Sequence, residues 1–164
     1  QAHTAYAAAK FAVKGFTEAL ITDLRLHAPH VQCSVVMPGH IGTSIMENSS
    51  KVLGKATGMD LPAEEVATIR ERMLAAGLPV GNVPDDHIRQ MLADRAEAFR
   101  TQAPTTASTA STVILDAVRN NQWRVLIGQD AHDLDRLVRE APHEAYEKSM
   151  IEKINELKHL GGLL

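Results

Sequence analysis

Apolar residues recur at steps of three and four from Ala9 through Ala12, Val13, Phe16 and Leu20 to Leu24, the stripe that a helix buries along one face. The pattern predicts a helix from residue 4 to about residue 28, stopped by Pro29. The run Val31-Gln32-Cys33-Ser34-Val35-Val36-Met37 is short, rich in β-branched side chains and closed by Pro38-Gly39. Being nearly apolar on both faces, it predicts an interior strand. From Ser44 to about Pro104 the pattern changes: Asn48-Ser49-Ser50 and the stretch from Gly54 to Gly58 predict loops. Pro62 then leads a helix through Val66, Ile69, Met73 and Leu74, closed by Gly77. A second helix begins near Asp85 and carries Ile88, Met91, Leu92 and Phe99 at helical steps.

Alternation of the two periods resumes after the helical section. Residues 106 to 120 predict a helix with Ala110, Val113, Ile114, Ala117 and Val118 inward, and Trp123 to Ile127 a strand ended by Gly128. Asp130 can cap the helix that follows, in which Leu134, Leu137 and Val138 are apolar until Pro142. A last helix places Tyr146, Met150, Ile154, Leu157 and Leu160 on one side, with Glu144 and Lys148 as an exposed i, i+4 pair. Helix followed by strand, twice, with a helical insertion of residues 44 to 104 between, is an α/β pattern. Two strands leave a buried parallel sheet without neighbours for its backbone groups. The expected fold is therefore the C-terminal part of a larger doubly wound parallel sheet, its first half upstream of Gln1.

Composition narrows the function classes. The chain has 164 residues, 45% of them apolar and 23% charged, as in one soluble domain with a core. Its 17 basic and 20 acidic residues are scattered, which offers no field for nucleic acid or an anionic membrane. Cys33 is the single cysteine, so neither an internal disulfide nor a cysteine-built zinc site can form. The eight histidines show no HExxH spacing, so no metal site is expected. With neither a leader nor a spanning apolar run evident, the expected location is cytoplasmic.

Candidate chemistry begins at Tyr6-Ala7-Ala8-Ala9-Lys10. Residues four apart leave the same face of a helix, so the phenol and the ammonium are neighbours. A free tyrosine ionises near pH ~10 and is a poor acid or base at neutrality. An adjacent ammonium favours the phenolate and brings proton transfer within reach. Downstream, the predicted strand runs into Pro38-Gly39-His40-Ile41-Gly42-Thr43.

Together these segments resemble the short-chain dehydrogenase/reductase family of NAD(P)-dependent enzymes. Tyr6 and Lys10 match its YxxxK motif, and Pro38, Gly39, Ile41 and Thr43 match its PGx(V/I)xT segment. The resemblance implies a Rossmann-type domain that interconverts an alcohol and a ketone or aldehyde with NAD or NADP. Tyr6 would be the acid/base, and Lys10 would support it and bind the nicotinamide ribose. Pro38 and Gly39 would shape the strand end. Ile41 would meet the carboxamide through its backbone, and Thr43 the carboxamide or pyrophosphate. Residues 44 to 104 would form the substrate-binding lid, and the alanine-rich first helix would pair in a homodimer or homotetramer. His40 is more simply a polar loop residue, and Trp123 a core or interface anchor.

The departures are equally specific. The family's TGxxxGxG fingerprint is missing; Gly54 and Gly58 fall near its spacing, but Asp60 holds the third position and no strand precedes them. The catalytic serine and the structural asparagine of the family lie farther upstream of the tyrosine than Gln1. A chain of these residues alone is therefore expected to be inactive and not to bind NAD(P) usefully. The alternative is an inactive fragment or relative serving as an association module. A metal hydrolase built from the histidines has no motif behind it.

Overall fold

The computed structural model describes residues 4–157. Thr4–His27 is α1, and the chain turns at once, Val31 N–H donating to Ala28 C=O at 2.8 Å. Strand β1 spans Val35–Pro38, shorter than the hydrophobic run predicts, because that turn and the exposed Val31 and Gln32 precede it. The remaining elements are β2 (Ile41–Gly42), α2 (Ile45–Val52), α3 (Ala63–Ala75), α4 (Asp85–Thr101) and β3 (Thr105–Thr106). After them come α5 (Ala107–Arg119), β4 (Arg124–Ile127), α6 (Gln129–Glu140) and α7 (Lys148–Glu156). Asn48-Ser49-Ser50, expected as loop, lies inside α2. Ile45, Met46 and Val52 are exposed, so local hydrogen bonds and not burial hold the helix: Asn48 N–H donates to Ser44 C=O at 2.9 Å and Ser50 Oγ to Met46 C=O at 3.3 Å.

The chain divides into two units: residues up to Ile41 with those from Pro104 onward, and Gly42–Ala103. In the first, β1 and β4 pair in parallel with Val35 opposite Arg124 and Pro38 opposite Ile127. The ladder extends beyond both strands. Val35 N–H donates to Trp123 C=O at 2.7 Å and Gly39 N–H to Ile127 C=O at 2.9 Å. Val125 and Ile127 point into a core with Ala110 and Ala117 of α5, flanked by Val36, Ile41, Val113 and Ile114. Arg124, on the alternate face of β4, instead pairs with Asp135 of α6. The strand is thus covered by a helix on each side, the layering of a doubly wound α/β fold. Among the described residues, β1 and β4 each have only the other as a strand neighbour. The second two-stranded sheet is β2 with β3, closing the first segment of the unit and opening its second.

Several predicted faces are not buried. No residue of α1 is buried, and Phe11, Val13 and Phe16 are each more than 60% exposed. Only the end of that stripe, at Leu20 and Leu24, is half-covered, where α1 reaches the start of the sheet. Val118 of α5 and Val138 of α6 also face out. In α6 the buried positions are Asp130, Ala131 and Asp133. Met150 anchors α7, while Tyr146 precedes the helix and is exposed; Leu160 lies outside the described residues. Glu144 sits in a 3-10 turn before α7, so it pairs with Lys153 at 2.9 Å and not with Lys148.

The second unit has its own core of Leu61, Val66 and Ile88, the last two fully buried. Two arginines tie α3 and α4 to the intervening chain. Arg70 donates to Val80 C=O at 2.7 Å and to Asp85 at 2.5 Å, and Arg89 donates to Leu61 C=O at 2.8 Å. Backbone carbonyls of the connecting segments thereby gain side-chain donors.

Burial raises the Asp135 carboxyl, but hydrogen bonds from Arg124 and Arg139 outweigh it and hold the group below its ordinary 3.8. A folded-state value below the unfolded one adds stability that is complete above the unfolded pKa and is lost as pH falls through the folded one. Wild-type protein is therefore expected to outlast Asp135→Asn in urea at neutral pH. The gap should narrow as pH falls from the ordinary carboxylate range through the lower folded-state value. Equal urea midpoints at neutral pH would remove the ion pairs from the account.

Candidate active site

Tyr6 and Lys10 stand one turn apart near the start of α1, and the Lys10 ammonium lies over the Tyr6 ring, 5.4 Å from its centroid. That contact falls within cation–π range. Both side chains are exposed, Tyr6 by 62%. The helix that carries them packs beside β1.

β1 closes at its carboxyl end on Pro38, and Gly39, His40 and Ile41 follow half-buried. This segment lies beyond the carboxyl end of a parallel strand, the place where open α/β sheets receive ligands. Two successive amides fix its path: Gly39 N–H donates to Ile127 C=O at 2.9 Å, and His40 N–H to Asp130 Oδ2 at 2.5 Å. Thr43, also half-buried, follows β2 and belongs to the second unit.

Asp130 is the residue that sequence reasoning undervalued. It reads there as a cap for α6, yet Gly128 occupies the cap position and Asp130 is already helical. Its carboxylate is 1% exposed and accepts from Ala131 N–H at 3.0 Å as well as from His40 N–H. It is wedged between two glycines. A Cβ at Gly39 or at Gly128 would overlap the carboxylate, and one at Gly128 would also lie 3.0 Å from Thr105 Oγ1. Gly128 has a φ of 92°, which L side chains rarely adopt. The available signal was a glycine two residues before an acid at the end of an apolar strand.

The second unit holds a groove of about 610 Å³, floored by Ala56, Leu61, Ile69 and Leu92 with Lys55 and Arg72 among its polar lining. None of Tyr6, Lys10 or Pro38 to Thr43 lines it. Met46, Met59 and Met91 are 39–54% exposed, so they are not core. Among the described residues no group of three histidine, cysteine or acidic side chains is placed to hold a metal, and no helix is long and apolar enough to cross a membrane.

The family model described as short chain dehydrogenase matches residues 1–53, or 53 of 164 positions, taking in α1, β1, β2 and α2. The match contains Tyr6, Lys10 and the whole Pro38 to Thr43 segment. No curated protein and no solved structure gives a significant match.

The packing around Asp130 predicts a stability effect. Gly128→Ala combines a left-handed strain with overlap on Asp130, and is expected to cost roughly 1–3 kcal/mol or more. A urea midpoint equal to that of the wild type would contradict the packing.

Proposed function

We propose that the protein is an NAD(P)-dependent oxidoreductase of the short-chain dehydrogenase/reductase family, interconverting an alcohol and a ketone or aldehyde. The observation that carries the reading is the tyrosine–lysine pair on a helix packed beside a parallel strand whose carboxyl end bears Pro38-Gly39-His40-Ile41-Gly42-Thr43. Both motifs fall in the stretch that the family model matches. The residues fit a nicotinamide: the strand end is the ligand-binding edge of such a sheet, and fixed amides at Gly39 and His40 give it a rigid backbone. When bound, that ring gives or takes the hydride.

The chain's own residues do the rest. Tyr6 donates a proton to the carbonyl oxygen in reduction and accepts the alcohol proton in oxidation. Lys10 supports the phenol and holds the ribose, Pro38 and Gly39 shape the floor, and the Ile41 backbone and Thr43 meet the carboxamide side. Residues 44–104 act as the substrate lid. The one-sided pairing of β1 and β4 supports reading this chain as the C-terminal part of the domain, with the pyrophosphate cradle supplied by preceding strands.

A second reading, an association module without catalysis, is favoured by the exposed Phe11, Val13 and Phe16 of α1. The Tyr6 variant separates the two. In the intact protein that includes the preceding strands, Tyr6→Phe is expected to lower turnover more than about 100-fold while leaving NAD(P) affinity within a few-fold, since only the proton donor is lost. Turnover close to that of the wild type would overturn the assignment. Lys10→Ala should weaken turnover and cofactor affinity together.

A lid also predicts local mobility. Amides of residues 44–104 should exchange with deuterium faster than those of Val35 and Val125, as lids come from the less stable parts of a fold. Equal protection would argue for inert packing.

A further inference from the structure

We propose that Asp130 is a positioning residue, whose buried carboxylate sets the backbone of Gly39 to Ile41 for the nicotinamide. The inference rests on the oxidoreductase reading for its consequence and on the geometry of the β4–α6 corner for its cause.

A carboxylate 1% exposed is expensive to keep. Among the described residues no lysine or arginine pairs with it. It is held by two amides, Ala131 N–H at 3.0 Å and His40 N–H at 2.5 Å, and by its place in the first turn of α6. Ala131 is its own neighbour in the helix. His40 is 90 residues away in the chain and comes one residue after the strand end. The long-range bond is therefore the one with consequences for the fold.

Glycines make that bond possible. Side chains at Gly39 or Gly128 would occupy the carboxylate's own volume, so both positions are emptied for it. With Gly39 N–H held by Ile127 and His40 N–H by Asp130, two consecutive peptide planes are fixed before the chain reaches Ile41. Asp130 is buried and contacts the strand end through its carboxylate. It acts through the His40 peptide.

The test uses the full protein with Asp130→Asn and Asp130→Ala. Asparagine keeps the volume but turns its amide NH2 toward one of the two N–H donors, so it remains foldable while losing one bond. In Asp130→Ala, which removes both acceptors, the His40 amide is expected to move upfield in NMR and to exchange at least tenfold faster, with Val66 in the second unit unchanged. In kinetics, KM for NAD(P) should rise about tenfold, the loss of one charge-assisted hydrogen bond, with kcat altered less than threefold. A merely structural role would lower kcat through the folded fraction and leave KM alone. Asp130→Ala should also relieve the stability loss of Gly39→Ala without restoring KM, because the overlap is gone while the hydrogen bond is still missing. An unchanged His40 amide, or a fall in kcat at constant cofactor KM, overturns the proposal. Should the intact protein, preceding strands included, bind no NAD(P), the oxidoreductase reading fails by itself, and the His40 amide still reports whether Asp130 holds the strand end.

Discussion

Parallel pairing of Val35–Pro38 with Arg124–Ile127 positions the rest of the first unit. Strands so far apart in sequence have no turn to set their register. It must come from side chains that fit only one way. With Val36 opposite Val125, alternate residues of both strands face α5, and Arg124 is left on the opposite face, where Asp135 of α6 receives it. A shift by one residue would drive Arg124 into the alanine-rich surface of α5 and leave Val125 facing carboxylates. The register therefore also decides that Pro38 and Ile127 end side by side, so that the two chain exits meet.

At that meeting point, packing and chemistry draw on the same atoms. The β4–α6 corner needs room for a carboxylate, and Gly39 and Gly128 supply it by having no side chain. The carboxylate in turn holds the first amide beyond Gly39. A buried acid in the first turn of a helix gains from the helix field, and two amide donors offset part of its desolvation. An apolar residue of similar volume would pack there at lower cost but could not reach His40. Retention of the acid is understandable as orientation more than as stability.

The second unit is organised differently. Its core of Leu61, Val66 and Ile88 comes from residues close in sequence, and Arg70 and Arg89 fasten the connecting loops to carbonyl oxygens. A unit with its own core and local tethers can change its lining residues without disturbing the β1–β4 register. That independence suits a part whose proposed task is to recognise a substrate.

Legibility in the sequence followed the range of the forces involved. Helices α1, α3, α4 and α5 and both long strands were visible in it, because periodicity, Pro29, Pro62, Gly77 and Gly128 act within a few residues. The motif residues Tyr6, Lys10 and Pro38 to Thr43 were visible for the same reason, being two short local patterns. Polar residues misled the reading at Asn48-Ser49-Ser50, which α2 takes in although Ile45, Met46 and Val52 beside them are exposed. Burial could not be read from the stripe of α1, since periodicity states which face is apolar and not what covers it; Phe11, Val13 and Phe16 are exposed. The Asp130–His40 bond was equally invisible, as it joins residues 90 positions apart. By itself the sequence determined the elements and the local motifs, which depend on neighbours along the chain. Only the tertiary structure decided register, burial and the fixing of the strand end, because each of these depends on which distant surfaces meet.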